Sequence, residues 1–560
     1  MASINLVIVL VIFLVKFKHW ALLLVFVFIP IRAIYSLPNI LLLVAEDLSP
    51  RIEPYGDEIA QTPNLSKLAR QSTLFTNAFT TAGVCAPSRA ALITGQHQIS
   101  FGGQHMRTST SLLGKYFALP AEHVKGFPEL LREEGYFTFT DSKLDYQFSG
   151  IRSGSGPFSL WDIENAEDTG WRQRQAQQPF FGLINFFETH ESGVMRPSGL
   201  PHSATHLATQ LARLKLVAPQ VTDPESVTLP PYYPDIDSVR SDLARHYDNI
   251  ALMDARVGNI LSALEEDGLL ENTVIIWTAD HGDGLPRAKR ELFDSGLKVP
   301  FLMRIPCKGI RDCGSKTDDR MVSFVDIAPT LLSLAQAPIP LWLHGVNFLQ
   351  SAREYVFASR DRIDEVEDRQ RAVRNKRFKF IRSWRAEVPG GHELAYRDNI
   401  DMVRDWRRLY QEKQLNQVQS NWFEAPGARQ LYDLAKDPFE TINVINDANY
   451  SAITDEMEQA LSNFLERVGD TSVISEEQMR ENFLCENEVC KTPNPQIQWK
   501  NGKAHLSSEM GASVGYQIQN SEHWALYQTP IELPNFKYKA IRYGFEESET
   551  LLARRPSPTD

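Results

Sequence analysis

The sequence predicts an α/β fold, with a mainly parallel central sheet flanked by helices. Three observations carry that expectation. Short unbroken apolar runs at residues 40–44, 180–187, 274–277 and 299–303 have the length and composition of parallel strands buried on both faces. Between them, Leu243, Tyr247, Ile250, Met253, Val257, Ile260, Leu261 and Leu264 recur at three- and four-residue spacing, one face of an amphipathic helix that ends before Gly268. Thr62-Pro63 sets a cap and a first-turn proline ahead of another helix.

Later segments read differently. A short strand at 378–381 and a helix at 450–467 mark a smaller α+β subdomain, and alternation at 513–518 and 538–543, with Trp524 and Tyr527, marks a small antiparallel β module. The expected organisation is a leader at 1–36, a catalytic α/β domain at 37–400, a C-terminal subdomain at 401–490 and an accessory β module at 491–560. Trp524 and Tyr527 read as module core, with stacking on a sugar as the second reading.

The 560 residues are 43% apolar, enough for a large core. A net charge of −12 gives no reason to expect nucleic acid as a partner. A polyanionic substrate would need its positive charge concentrated in a cleft. At the N-terminus, apolar runs at 4–15 and 20–31 flank Lys16, Lys18 and His19. The second run reads as the core of a signal peptide cleaved near Ser36, for a secreted or periplasmic protein; the two runs joined would serve as a membrane anchor. Of five cysteines, Cys307 with Cys313 and Cys485 with Cys490 are spaced to close small disulfide loops, which leaves Cys85 without a mate.

Chemistry gathers where strands end. The run 40–44 leads into Glu46-Asp47, 136–140 into Asp141-Ser142-Lys143-Leu144-Asp145, 180–187 into Glu188-Thr189-His190, and 274–277 into Asp280-His281. In an open α/β sheet, ligands bind beyond the carboxyl ends of the strands. One such ending would be a helix cap or solvated loop; four together point to a single rim. Carboxylates from two distant strands suit a hard cation facing an anionic substrate. Pro87 places Cys85 at a helix N-terminus, where free N–H groups favour negative charge.

The stretch Cys85-Ala86-Pro87-Ser88-Arg89-Ala90-Ala91-Leu92-Ile93-Thr94-Gly95 resembles the sulfatase signature Cys-x-Pro-Ser-Arg-x-x-Leu-x-Thr-Gly at every fixed position. Residues 38–47 are similar to the family's first strand and metal-binding acids, and Asp280-His281-Gly282 to its second metal pair. Leu431-Tyr432-Asp433-Leu434, then Asp437-Pro438, Glu440 and Asn443, resemble its C-terminal hallmark. The resemblance spans roughly residues 37–470, and residues 284–300 are most similar to the branch of heparan N-sulfatases and bacterial polysaccharide sulfatases.

This resemblance implies an alkaline-phosphatase-like fold and a formylglycine made from Cys85 by a separate maturation enzyme. The hydrated aldehyde would attack sulfur with one hydroxyl and expel sulfate by deprotonation of the other. It implies one Ca2+ held by Glu46, Asp47, Asp280 and His281 together with position 85. Arg89 would steady the nucleophile, Lys143 would contact it and the sulfate, His190 would protonate the leaving group, and Lys289 would contact the sulfate, with Lys298 as an alternative. The substrate implied is a sulfated polysaccharide or oligosaccharide, as an O-sulfate ester or a sulfamate.

Three positions depart from the family's common pattern. Glu46 stands for an aspartate, which lengthens one ligand and keeps its charge, and His281 for an asparagine, where imidazole is a less natural calcium ligand than oxygen. Asp145 stands for a histidine; it would replace that base or hold Lys143. His105, Arg107, Arg362 and Asp364 are candidates for gripping the sugar, with surface salt bridging as the plainer reading for the arginines. Two competing functions use the same residues: a phosphonate or phosphodiester hydrolase, and an inactive carbohydrate-binding relative.

Overall fold

An eight-stranded sheet carries the four chemical strand ends. In this computed structural model its strands are β1 (Asn39–Ala45), β2 (Thr73–Phe79), β3 (Phe137–Thr140), β4 (Phe180–Phe186), β5 (Thr273–Ala279), β6 (Lys298–Val299), β7 (Phe301–Arg304) and β8 (Lys316–Ser323). The order is β3-β4-β1-β5-β7-β2-β6, with β8 beside β2. The structure describes residues 37–141, 143–150, 159–195, 222–306, 315–519, 521 and 523–556. The expected leader and the Cys307–Cys313 pair lie outside these described residues.

β1 is parallel to both β4 and β5, and β3 is parallel to β4. Every residue of β1, β4 and β5 is buried, as expected of strands covered on both faces. Val44 stands level with Asn185 and with Thr278. The residues that follow these strands therefore emerge at one edge. The long helix runs Asp237–Glu266 and buries Leu243, Tyr247, Ile250, Met253, Val257, Ile260 and Leu264, the face that the spacing predicts. A shorter helix, Pro63–Ala69, follows Thr62 with its proline in the first turn.

One expected parallel strand is different. The run 299–303 is divided at Pro300, and β7 pairs antiparallel with β5. Proline has no N–H to continue a ladder. The link from β5 holds a four-residue helix, Asp294–Leu297, and the two-residue β6, with no long helix of the kind that usually returns the chain for a parallel pairing.

A second, antiparallel sheet is built from β9 (Val356–Arg360), β10 (Gln370–Arg374), β11 (Phe378–Ser383) and β12 (Arg429–Asp433), drawing strands from both sides of residue 400. Its alternation is clean. Phe357, Val373, Phe380 and Leu431 pack on Met457, Leu461 and Phe464 of the helix Ser451–Val468. Ala358, Ala372, Ile381 and Tyr432 point the other way, onto Phe79, Leu292 and Leu297. Each large side chain so buried contributes about 1.5–3 kcal/mol. The segment that follows β5 is thus backed by a packed sheet.

The C-terminal module has a four-stranded antiparallel sheet, Ala525–Leu526, Ser513–Ile518, Asn535–Ile541 and Leu551–Arg554, and a hairpin, Gln496–Lys500 with Lys503–Ser507. Tyr527 packs against the module's apolar cluster, and the Lys539 ammonium lies 4.6 Å from the Trp524 ring centre. Cys485 and Cys490 form the expected disulfide. Among the described residues no helix is long and apolar enough to cross a membrane.

Candidate active site

β1 and β5 deliver two pairs of residues side by side. Asp47 takes a left-handed backbone (φ 54°), and its N–H donates to Asp280 Oδ1 at 3.0 Å. Such a conformation costs a non-glycine residue about 1–3 kcal/mol, so it persists only where the surroundings enforce it. His281 Nε2 lies 3.0 Å from Asp47 Oδ1 and 3.7 Å from Asp280 Oδ1. Glu46, Asp47, Asp280 and His281 have no exposed surface. Gly284 closes this floor: a Cβ there would meet Asp47 Oδ2 at 2.9 Å.

Cys85 opens the helix Cys85–Thr94, after an extended Val84, and the helix stops at Gly95 (φ 65°). Cys85 Sγ lies 3.4 Å from His281 Nε2 and 3.8 Å from Asp47 Oδ1. Arg89, one turn on, shares its face. Its Nε and Nη2 reach Asp280 Oδ2 at 3.1 and 3.0 Å, and Nη2 stands 3.9 Å from Glu46 Oε1. Arg89 Nη1 donates to Asn185 Oδ1, and Asn185 in turn donates from N and Nδ2 to Asp141 at 2.7 and 2.6 Å. Asn185 and the bracing role of Asp141 are not singled out by the sequence reading. A polar residue inside the wholly buried strand β4 is the signal that would have found Asn185.

Three cationic or titratable groups complete the arrangement. Lys143 Nζ lies 3.3 Å from Glu46 Oε2. His190 Nδ1 accepts from Ser192 N at 3.2 Å, and its Nε2 lies 3.9 Å from Glu46 Oε2. Lys289 Nζ donates to Asp47 Oδ2 at 2.7 Å, stands 3.0 Å from Glu191 Oε1, and lies 3.4 Å from His190 Nε2.

The charges bias one another. Burial, then Lys289, depresses His190 to about 4, which leaves it neutral at ordinary pH. Burial alone would raise Asp47, but Lys289, His190 and His281 hold it well below the usual carboxylate range. Burial opposes charge on His281, yet Asp280 and Asp47 push it up to about 10. Against burial, Glu46 raises Lys143, and Asp47 raises Lys289.

These residues fit a divalent cation. Ligand atoms of Asp47, Cys85, Asp280 and His281 lie within 4.8 Å of one another, as do those of Glu46, Asp47, Cys85 and His190. Glu46 Oε1 is buried without a hydrogen-bond partner, and the carboxylates of Asp47 and Asp280 converge on His281 Nε2 at 3.0 and 3.7 Å. Carboxylate oxygens predominate, as a hard cation requires.

The remaining candidates have varied placements. Arg107 Nε lies 3.4 Å from Asp145 Oδ2, with a third (34%) of its side chain exposed. Arg362 is held by Glu476 through Nε and Nη2, and its backbone N–H donates to His105 Nδ1 at 3.3 Å. Asp364 accepts from Arg290 Nε at 3.0 Å. Lys298 is not brought to the cluster; it lines a separate surface cavity with Asp294, Arg374 and Lys376. Glu191, Arg290 and Glu476, which bind three of these charged groups, are absent from the sequence reading.

The sulfatase family profile matches residues 38–337, and the profile described as N-sulphoglucosamine sulphohydrolase, C-terminal, matches residues 287–424. The chain is a member of the sulfatase family. An ulvan-active sulfatase of Formosa agariphila is 36% identical over 552 residues, covering 92% of this sulfatase and 91% of the relative. Human N-sulphoglucosamine sulphohydrolase is 25% identical over 464 residues, covering 76% and 89%. Among solved structures, that of BT4656 in complex with its substrate D-glucosamine-2-N,6-O-disulfate shares the fold, with a TM-score of 0.53 at 17% identity over 79% of this sulfatase and 99% of that chain.

Proposed function

We propose that this sulfatase removes sulfate from a sulfated polysaccharide or oligosaccharide outside the cytoplasm, with a formylglycine at position 85 and one calcium ion. The observation that carries the reading is the meeting of Cys85 Sγ with His281 and Asp47 at 3.4 and 3.8 Å, beside the unpartnered Glu46 Oε1. The overall likeness to an ulvan-active sulfatase supports a polysaccharide substrate.

Calcium, when bound, would supply positive charge against the sulfate oxygens and the attacking hydroxyl. Glu46, Asp47, Asp280 and His281 would hold it. Arg89, locked on Asp280, would keep the residue one turn before it aimed at the site. Position 85, oxidised and hydrated, would supply the attacking hydroxyl, with Lys143 and Lys289 stabilising charge that develops on sulfate oxygens. His190, protonated once the anionic sulfate sits beside it, would give its Nε2 proton to the leaving oxygen or nitrogen and return to the neutral ring. Asp145 would steady Arg107 at the mouth.

Two measurements test this. Mass spectrometry of the peptide spanning Cys85, in protein from its native host, should show a loss of roughly 18 Da, the change from thiol to aldehyde. Ion chromatography should detect sulfate released from ulvan and from defined sulfated oligosaccharides. An unmodified thiol together with no release from any of them would refute the proposal.

A further inference from the structure

Lys289 is held by two carboxylates, Asp47 Oδ2 at 2.7 Å and Glu191 Oε1 at 3.0 Å. Glu191 is itself fixed at both ends. Its backbone N–H donates to Asp47 Oδ2 at 2.7 Å, and its carboxylate receives Arg290 Nη1 and Nη2 at 2.8 and 3.0 Å. Arg290 then reaches Asp364 through Nε at 3.0 Å. The line Asp47–Lys289–Glu191–Arg290–Asp364 is therefore continuous. Lys289, Glu191 and Arg290 are almost wholly buried.

Backbone strain marks the same line. Asp47, Arg290 and Asp364 all take left-handed conformations (φ 54°, 77° and 53°), although none is a glycine. Arg290 N donates to Gly83 O at 2.6 Å, two residues before Cys85. Strained positions cluster where a site needs a side chain in one place.

We propose that Glu191 is the positioning residue for Lys289, and that Arg290 fixes Glu191 for this task. The proposal rests on the reading of Lys289 as a sulfate contact. With two of its directions taken by Asp47 Oδ2 and Glu191 Oε1, the Lys289 ammonium is held in one orientation, with an N–H left for a sulfate oxygen. Without Glu191, the ammonium would keep Asp47 as its near anion and swing about that one contact, losing the orientation that the pair enforces. Both donors on Asp47 Oδ2, the Glu191 N–H and Lys289, also leave Oδ1 to face His281 and position 85.

A double-mutant cycle tests this. Glu191→Gln keeps shape and removes charge; it is measured alone, with Lys289→Ala, and against Lys289→Ala alone, using para-nitrophenyl sulfate or whichever sulfated oligosaccharide the wild type cleaves. The expected result is a fall in kcat of about tenfold or more from Glu191→Gln, KM moving less than about threefold, and less than about twofold further loss in the Lys289→Ala background. Arg290→Lys, which keeps the charge but loses the fork, should reproduce the direction and the same dependence on Lys289; it carries the test if Glu191→Gln does not fold. Equal losses with and without Lys289, or an unchanged kcat, overturn the proposal alone. A wild type that releases no sulfate from any substrate overturns the functional reading beneath it.

Discussion

His281 Nε2 lies 3.0 Å from Asp47 Oδ1, and the two side chains arrive from separate strands with no exposure to water. A buried imidazole raised to about 10 signals a place that stabilises a cation. A proton and a metal ion compete for it.

Metal removal should therefore inactivate and loosen the enzyme together. Dialysis against a chelator should abolish sulfate release and lower Tm, and calcium should restore both. At a hundredfold excess over Kd, the ion would add about 2.7 kcal/mol of stability. Asp280→Asn should raise the calcium needed for half-restoration by about tenfold or more, read by a thermal-shift titration.

Replacing Cys85 with alanine should cost activity by about a thousandfold or more, because the attacking group is removed. The Tm should change little, since only one sulfur is lost from the start of a well-packed helix.

Gly284→Ala should be more damaging than its size suggests. Its Cβ would stand 2.9 Å from Asp47 Oδ2 and 3.0 Å from Glu191 Cα. Overpacking there should destabilise by about 1–3 kcal/mol in urea unfolding and displace Asp47 from its partners. Lower calcium affinity should accompany the loss of stability.

Away from the site, Arg371 is buried between Asp361 and Asp470, with contacts of 2.9 Å to each. Burial would raise Asp470, but Arg371 holds it below its ordinary value. A depressed folded value contributes stability that is full above the unfolded value of about 3.9 and is lost as pH falls through the folded one. Arg371→Met should cost about 3–5 kcal/mol near neutral pH, by leaving buried carboxylates unpaired. Urea midpoints measured from pH 7 downward should lose part of their acid sensitivity in the variant.

The site's backbone was more legible than its side-chain bracing. Glu46, Asp47, Asp280 and His281 follow apolar runs whose ends announce themselves, and the stretch around Cys85 is specific. Glu476 could not be read as the holder of Arg362, because 114 residues separate them and no local pattern links them. Glu191 and Arg290 each stand beside a residue already singled out, yet only the tertiary structure joins them across 99 positions. Lys298, the alternative to Lys289 that the resemblance allows, follows the Asp294–Leu297 helix and lines a separate cavity. The direction of β7 escaped for a related reason: an apolar run records burial, not polarity of pairing.

Asp47 and Asp280 are 233 positions apart and meet because β1 and β5 pair. An unfolded chain of this kind offers calcium no assembled cage, only scattered acids. The ion would thus arrive late, as a lock on a sheet already aligned rather than a seed for its assembly. Refolding should proceed to a paired sheet in calcium-free buffer, with the ion slowing escape from that state more than hastening entry.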